Sequence, residues 1–168
     1  MKYFLACLLF LPIFSAAQDT TAVTCKLIRE TDPFTKQTKI STGFMQMDGA
    51  SVTMDATKPE IDFLFSVEGA DRCYDNNSTA FIFFEGTKAK LTIRNGGSMN
   101  CEGLFHFIFK NSPNPVSMLT KLSTMKIDNI VFTGNNKKEA KIELTEVEQQ
   151  SFMTLAVCLL AEAKTLLQ

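Results

Sequence analysis

The sequence predicts an α+β fold dominated by β-strands: an antiparallel meander of about nine strands, curved or folded into a sandwich-like sheet. Short runs of alternating apolar and polar residues recur along the chain, and turn-forming residues separate them. The stretch 79–94 has the pattern of a tight hairpin. Two stretches with helical spacing predict a short helix near 115–123 and a C-terminal helix near 146–166.

The hairpin is the most informative of these elements. Its sequence, TAFIFFEGTKAKLTIR, predicts two strands about a turn at 85–88, with Gly86 at the first central position of a type II′ loop. That turn places Ala80 opposite Ile93 and makes one face of the ladder apolar. A one-residue shift would set apolar side chains against polar ones, so the pattern favours this register.

The remaining strands follow from the same alternation. We predict strands at about 22–30, 40–44, 52–54, 61–67, 104–109, 126–133 and 140–144. In the second of them, Ile40, Thr42 and Phe44 should share one face. The strand at 104–109 is apolar on both faces, which predicts a central position in its sheet.

The C-terminal helix has a predicted start and a predicted packing face. Thr145 and Glu148 have the spacing of a capping box. An apolar stripe follows at helical spacing and should lie against the sheet; it comprises Phe152, Leu155, Ala156, Leu159, Ala163 and Leu166. Glu162 and Lys164 interrupt the apolar run, so we interpret it as a packing helix and not a membrane span.

The N-terminus has the parts of a secretory signal peptide over residues 1–17. Lys2 is the positive start, an apolar stretch follows, and Ser15-Ala16-Ala17 is the small-residue cleavage site. We expect cleavage before Gln18, which leaves a single mature β-rich domain over 18–168, exported to the periplasm or secreted. The chain has 17 basic and 18 acidic residues, so it lacks the strong positive field typical of nucleic-acid binding.

Four cysteines remain after the signal peptide, and an even number in an exported chain favours disulfides. Extending the hairpin ladder outward brings Cys73 almost opposite Cys101. We therefore predict a Cys73–Cys101 disulfide and, from the two that remain, Cys25–Cys158. The alternative is four free thiols in a reducing compartment.

Several short motifs occur in a recognisable order: Ala17-Gln18, Cys25, Asp32-Pro33-Phe34-Thr35-Lys36, Asn100-Cys101, Leu119-x-x-Leu122 and a late helix with Phe152 and Cys158. This arrangement resembles that of small exported proteins of unknown function from Bacteroidetes-type bacteria. The resemblance covers most of the mature chain and implies export and a compact β-rich domain. It brings no activity and no site residues.

The residues that carry chemistry are few. His106 is the only histidine and lies in mid-strand, so we interpret it as structural and predict no catalytic residue, metal site or cofactor. Asp71 and Asp75 could ligate calcium, but acids and Asn are ordinary turn formers and no calcium-loop pattern is matched. A hydrolase therefore ranks last among the function classes.

We predict a non-enzymatic exported protein that acts as a binding module or within a cell-envelope assembly. Its expected partner is a protein or another envelope component, with no nucleic acid and no membrane span in the mature chain. The contact surface should lie on exposed strand edges or on a loop with the residues Asp71, Tyr74, Asp75, Asn76 and Asn77.

The alternative function is a carrier of an apolar, lipid-like ligand. Its cavity would be lined by Phe and Met side chains from several strands: Phe63, Phe65, Phe105, Phe107, Phe109, Met45, Met47 and Met54. Ordinary core packing explains the same residues, and we favour it.

Overall fold

The computed structural model describes residues 25–168, and the predicted signal peptide lies outside this range. The described chain forms nine strands, two α-helices and a final 3₁₀ turn, Lys164–Leu167. The strands are β1 Ile28–Thr31, β2 Thr38–Met47, β3 Ala50–Ala56, β4 Glu60–Val67, β5 Thr79–Phe84, β6 Lys90–Arg94, β7 Leu104–Lys110, β8 Ile127–Thr133 and β9 Glu139–Glu143. The helices are α1 Ser117–Thr124 and α2 Glu146–Ala163. The predicted β-dominated α+β class is confirmed.

The strands are divided between two antiparallel sheets. The larger sheet has the order β1-β2-β3-β4-β7, and the smaller has the order β6-β5-β8-β9. Neighbours in space are neighbours in sequence except at β4–β7 and β5–β8, where the chain passes between the sheets. The fold is therefore the sandwich-like form of the predicted arrangement.

The core lies between the inner face of the larger sheet and a second layer made by the smaller sheet and α2. Phe65 of β4 has its ring centroid 5.3 Å from that of Phe132 on β8. Phe63 lies 5.9 Å from Phe152 of α2. These aromatic contacts join three separate elements, and the side chains involved are fully buried. Helix α2 thus covers part of the inner face of the larger sheet.

A bulge in β2 overturns the predicted face of that strand. The register to β3 shifts between Ser41 and Phe44, where Gly43 adopts a φ of +70°. The extra residue directs Phe44 outward, with 82% of it exposed, and turns Met45 and Met47 inward. The expectation that Ile40, Thr42 and Phe44 share one face was wrong because alternation in sequence does not reveal a bulge.

Strand β7, predicted at 104–109, lies at the edge of its sheet, so its predicted central position was wrong. Its free edge is covered by a loop: Gly96 N donates to His106 O at 2.9 Å, and Asn95 Oδ1 accepts from His106 N at 2.8 Å. On its outer face, Ile108 is 40% exposed. A covered edge explains how a strand that is apolar on both faces is tolerated there.

The central hairpin has the predicted register, with Ala80 opposite Ile93. The turn itself begins one residue earlier than predicted, at Phe84, whose carbonyl oxygen accepts from Thr87 N at 3.4 Å. Gly86 still has positive φ, +70°, but at the second central position and not the first. The ladder is therefore specified by the strand pattern and does not depend on the type II′ turn.

Both predicted helices are present; α2 begins at the predicted residue, and α1 begins two residues later than predicted. Thr145 caps α2: its Oγ1 accepts from Glu148 N at 3.4 Å, and Glu148 Oε2 accepts from Thr145 N at 2.7 Å. The capping box is thus confirmed. In α1, Leu119 and Leu122 of the Leu119-x-x-Leu122 motif are fully buried. From the predicted stripe of α2, the buried members are Phe152, Ala156, Leu159 and Ala163.

Candidate functional site

Both predicted disulfides are present. Cys73–Cys101 closes the loops beyond the central hairpin, and Cys25–Cys158 joins the start of the described chain to α2. Between Cys73 and Cys101 the backbone forms an isolated antiparallel bridge, with Tyr74 N donating to Asn100 O at 2.8 Å and Asn100 N donating to Tyr74 O at 2.9 Å. The disulfide therefore reinforces a hydrogen-bonded crossing of two loops.

Tyr74 is not a surface residue, although the sequence placed it in the partner loop. Its ring is 1% exposed and packs edge-on against Phe105, with the centroids 5.1 Å apart. The hydroxyl is buried without a hydrogen-bond partner among the described residues. Desolvation raises the pKa of Tyr74 to about 12. The ring anchors the loop to the core and cannot contact a partner.

Asp71 is committed to another loop. Its carboxylate accepts from Lys138 Nζ at 2.8 Å, and its carbonyl accepts from Asn136 Nδ2 at 3.1 Å. The hydrogen bond and charge of Lys138 hold the pKa of Asp71 below its usual value. These contacts tie the predicted partner loop to the β8–β9 turn of the smaller sheet.

Asp75 shapes its own turn. Its Oδ1 accepts from Asn77 N at 2.9 Å and from Ser78 N at 2.9 Å. Desolvation opposes ionisation, but these hydrogen bonds outweigh it and the pKa of Asp75 is lowered. Besides Asp71, the exposed members of the five predicted loop residues are Asn76 and Asn77. Asn76 lines a shallow depression of about 450 Å³ together with Asp75 and Met99.

His106 has a partner that the sequence analysis missed. Its Nδ1 lies 2.7 Å from Asp62 Oδ2 on the outer face of the larger sheet. Desolvation raises the pKa of Asp62 although the hydrogen bond to His106 opposes this. The other oxygen, Asp62 Oδ1, is buried without a partner among the described residues. Asp62 lies opposite Ile108, so the pair spans two positions diagonally across β4 and β7.

The described residues place no hydroxyl nucleophile in hydrogen-bond contact with this pair on its imidazole side. Within residues 25–168, no Ser or Thr hydroxyl hydrogen-bonds the His106 ring. The same part of the chain contains no group of three or more His, Cys, Asp or Glu residues placed to hold a metal ion. Among the described residues, the geometry therefore offers a hydrogen-bonded acid–imidazole pair without the third member of a hydrolytic triad.

The residues assigned to an apolar cavity fill the core. All of the Phe and Met side chains named for the carrier hypothesis are buried. Their rings contact one another: Phe65 lies 4.7 Å from Phe107, and Phe105 lies 5.1 Å from Phe132. These distances are typical of packed aromatic pairs, which occupy the space that a ligand would need.

The solvent-facing side of α2 includes a long stretch without charged residues. From Gln149 to Ala161 the helix has no charged residue. Val157 lies within this stretch and is 51% exposed, and Val147, which precedes it between two glutamates, is 76% exposed. A surface helix of a globular domain normally directs charged residues to this side, so their absence over more than three turns is unusual.

A groove follows this side of the helix. We define the α2 groove by Val147, Gln150, Met153, Thr154 and Val157. It consists of two adjoining depressions of about 450 and 250 Å³ that share Gln150 and Thr154. The Cys25–Cys158 disulfide borders the smaller depression, and Lys126 and Glu146 border the larger one.

By length and composition, the helical stretch Glu146–Leu167 could cross a membrane. Over an 18-residue segment of this stretch the mean hydropathy reaches 1.3, and 28% of that segment is buried in the described structure. The buried part includes Phe152 and Leu159, which pack into the core. Soluble core helices pass the same test, so hydropathy alone does not distinguish a membrane helix from a packing helix.

Comparisons with protein-family models, with curated proteins and with solved structures find no match for this chain.

Proposed function

We propose that this protein is an exported, non-enzymatic interaction module that binds a partner protein of the cell envelope through the α2 groove. The single observation that carries the proposal is the uncharged, exposed side of α2. Large apolar surfaces that remain exposed on a monomer are typical of interaction sites. The groove is concave, which suits an inserted chain segment of a protein better than a flat lipid surface.

Export is part of this proposal. The signal-like residues 1–17 support it, as does the resemblance to small exported proteins of Bacteroidetes-type bacteria. Two disulfides join all four cysteines of the described chain, and such bonds persist in oxidising compartments. The mature chain would reach the partner in the periplasm or outside the cell without spanning the membrane.

The partner would contribute apolar side chains to the groove. Met153 and Val157 supply apolar surface, and Met adapts readily to the shape of an incoming side chain. Lys126 and Glu146 lie together at one end and offer polar contacts at the rim. An apolar centre with a polar rim is the usual composition of a protein–protein interface.

Site-specific photo-crosslinking in the exporting cell tests the proposal. A photo-reactive residue at Thr154 should give one discrete adduct with a partner protein. The double variant Val147→Gln, Val157→Gln should abolish that adduct. The matched control is Val116→Gln, which changes an exposed valine at the N-cap of α1 and should leave the adduct intact.

Three outcomes would contradict the proposal. One is the absence of any adduct from Thr154. Another is an adduct of equal yield in the double variant and in the control. The third is an adduct of twice the mass of the chain, which would assign the groove to a second copy and not to a partner protein.

A further inference from the structure

We infer that a second site, distinct from the α2 groove, binds an organic phosphate. This site, the basic cleft, lies where the β1–β2 turn, the β3–β4 turn and the end of α2 meet. It has a volume of about 610 Å³. Its charged lining residues are Arg29, Lys36 and Lys58, and no Asp or Glu lines it. The inference does not rest on the proposed function.

The two lysines are unpaired within the described residues. Of the salt bridges there, none involves Lys36 or Lys58, whereas Arg29 lies 3.4 Å from Glu162. Three cationic side chains thus line one cleft, and Glu162 pairs with only one of them. Like charges that line one cleft repel one another, and an anion bound between Lys36 and Lys58 would relieve that repulsion.

The walls of the cleft are fixed by a buried side chain. Asn111 is 4% exposed, and its Nδ2 donates to Thr57 O at 2.9 Å and to Ala163 O at 3.0 Å. Its backbone N donates to Pro59 O at 3.0 Å. One asparagine therefore joins the β3–β4 turn, which holds Lys58, to the end of α2.

The third wall is equally well defined. In the β1–β2 turn, Asp32 Oδ1 accepts from Thr35 N at 2.7 Å and from Phe34 N at 2.8 Å. Lys36 N donates to Asp32 O at 2.9 Å, and Lys36 adopts a φ of +58°. A non-glycine residue in this region is costly unless the surrounding structure holds it, and here the turn does so. Lys36 is thus directed from a fixed backbone position.

One feature of the cleft opposes an anion. The 3₁₀ turn after α2 forms part of the same wall, and the carbonyl end of α2 just before it carries the negative end of the helix dipole. Arg29 is placed to offset it, since its guanidinium donates to Thr165 Oγ1 at 2.9 Å. Lys36 and Lys58 come from the two turns and not from the helix, so they remain available to the ligand.

The size and composition of the cleft indicate the class of ligand. A volume of this order holds a small organic molecule and far exceeds a single phosphate ion. Gln37, Thr38 and Thr165 add amide and hydroxyl groups to the lining, which suit a hydroxyl-bearing body attached to the phosphate. The same phosphate chemistry occurs in soluble sugar phosphates and in lipid headgroups.

Titration of the oxidised, exported protein tests the inference, with glucose 6-phosphate, inorganic phosphate and glucose as soluble probes at low ionic strength. Glucose 6-phosphate should bind saturably and more tightly than inorganic phosphate, and glucose should not bind. A second arm uses vesicles of phosphatidylglycerol with phosphatidylcholine vesicles as reference. Binding by the soluble probe would assign the site to a free organic phosphate, and binding only to phosphatidylglycerol would assign it to a headgroup.

The decisive variant is Lys36→Gln, Lys58→Gln, which should weaken binding about tenfold for each lysine removed. The matched control is Lys137→Gln, Lys88→Gln. Lys137 also has a positive φ, +60°, and both control lysines are exposed turn residues without salt bridges among the described residues. Circular dichroism of both variants checks that each is folded.

The inference would be overturned if no probe binds saturably, or if the control variant loses as much affinity as the decisive one. It would equally be overturned if binding persists unchanged after Lys36 and Lys58 are replaced. In these cases the three cations would serve only to offset the carbonyl end of α2.

Discussion

Asp62 and His106 lie on separate strands of the larger sheet, and their side chains meet at 2.7 Å between Oδ2 and Nδ1. Burial of the carboxyl outweighs the favourable contact with the imidazole, so the pKa of Asp62 is raised in the folded protein. The folded state therefore holds this proton to higher pH than the unfolded chain does. Asp62 makes its contribution to stability below its unfolded pKa and loses it as the pH rises through its folded pKa.

The first prediction concerns this titration. Asp62→Asn removes the carboxyl while keeping an oxygen that can accept from His106. Relative to the unaltered protein, the variant should become progressively more stable as the pH rises across the acid range. Urea unfolding at a series of pH values from about 3 to 7 measures the difference. Parallel stability curves for the two proteins would contradict the assigned pKa direction.

The second prediction concerns the two disulfides. Cys25–Cys158 closes a sequence separation of 133 residues, and Cys73–Cys101 closes one of 28. Chain entropy gives upper estimates of about 5 kcal/mol for the longer loop and about 3–4 kcal/mol for the shorter. Replacing each pair by serines should therefore lower the free energy of unfolding more for Cys25 and Cys158. The reverse order would show that strain or residual structure dominates.

The third prediction concerns the loop that covers β7. A Cβ at Gly97 would overlap the His106 ring, although the φ of Gly97 is not positive. Gly97→Ala should therefore cost about 1–3 kcal/mol in the free energy of unfolding, as overpacking does. The same substitution in a His106→Ala background should cost much less, because the clash is gone. Equal costs in both backgrounds would exclude the clash as the cause.

The Gly97 variant has a matched control in the hairpin turn. Gly86 has a φ of +70°, and no atom lies within 4 Å of a Cβ built there. Gly86→Ala should cost about 1–2 kcal/mol from backbone conformation alone. Its cost should not change in the His106→Ala background, which separates backbone strain from steric overlap.

The fourth prediction concerns the core between the two layers. Phe132 is fully buried and contacts Phe65 and Phe105 of the opposite sheet. Phe132→Ala should lower the free energy of unfolding by about 3–5 kcal/mol. Phe44→Ala, at an outward position created by the bulge in β2, should change it by no more than about 0.5 kcal/mol. Similar losses at both positions would contradict the assigned faces.

The β5–β6 ladder and the capping box of α2 were predictable because their partners are close in sequence. Ala80 and Ile93 are brought together by one short turn, and Thr145 and Glu148 by one turn of helix. The bulge at Gly43 and the edge position of β7 were not predictable. Each depends on which strand pairs with the strand concerned, and contacts between segments distant in sequence determine that pairing.

The candidate sites divide in the same way. The turn formed by Asp75 could be anticipated from its sequence, whereas the burial of Tyr74 could not, because the rings that cover it belong to β7 and β8. The pairing of Asp62 with His106 needed the register between β4 and β7. The sequence does contain a signal for the α2 groove, because the helix has no charged residue from Gln149 to Ala161. The sequence analysis explains this apolar run by packing against the sheet alone.

By itself, the sequence determined the fold class, the central hairpin, both disulfides and the start of α2. Each of these follows from local pattern or from a cysteine count small enough to leave few pairings. Only the tertiary structure decided which side of α2 is buried. It also decided that the β1–β2 turn, the β3–β4 turn and the end of α2 meet to form the basic cleft with Arg29, Lys36 and Lys58. Burial is a property of the whole packed chain, and so the sites that burial creates or leaves exposed appear only when distant segments are assembled.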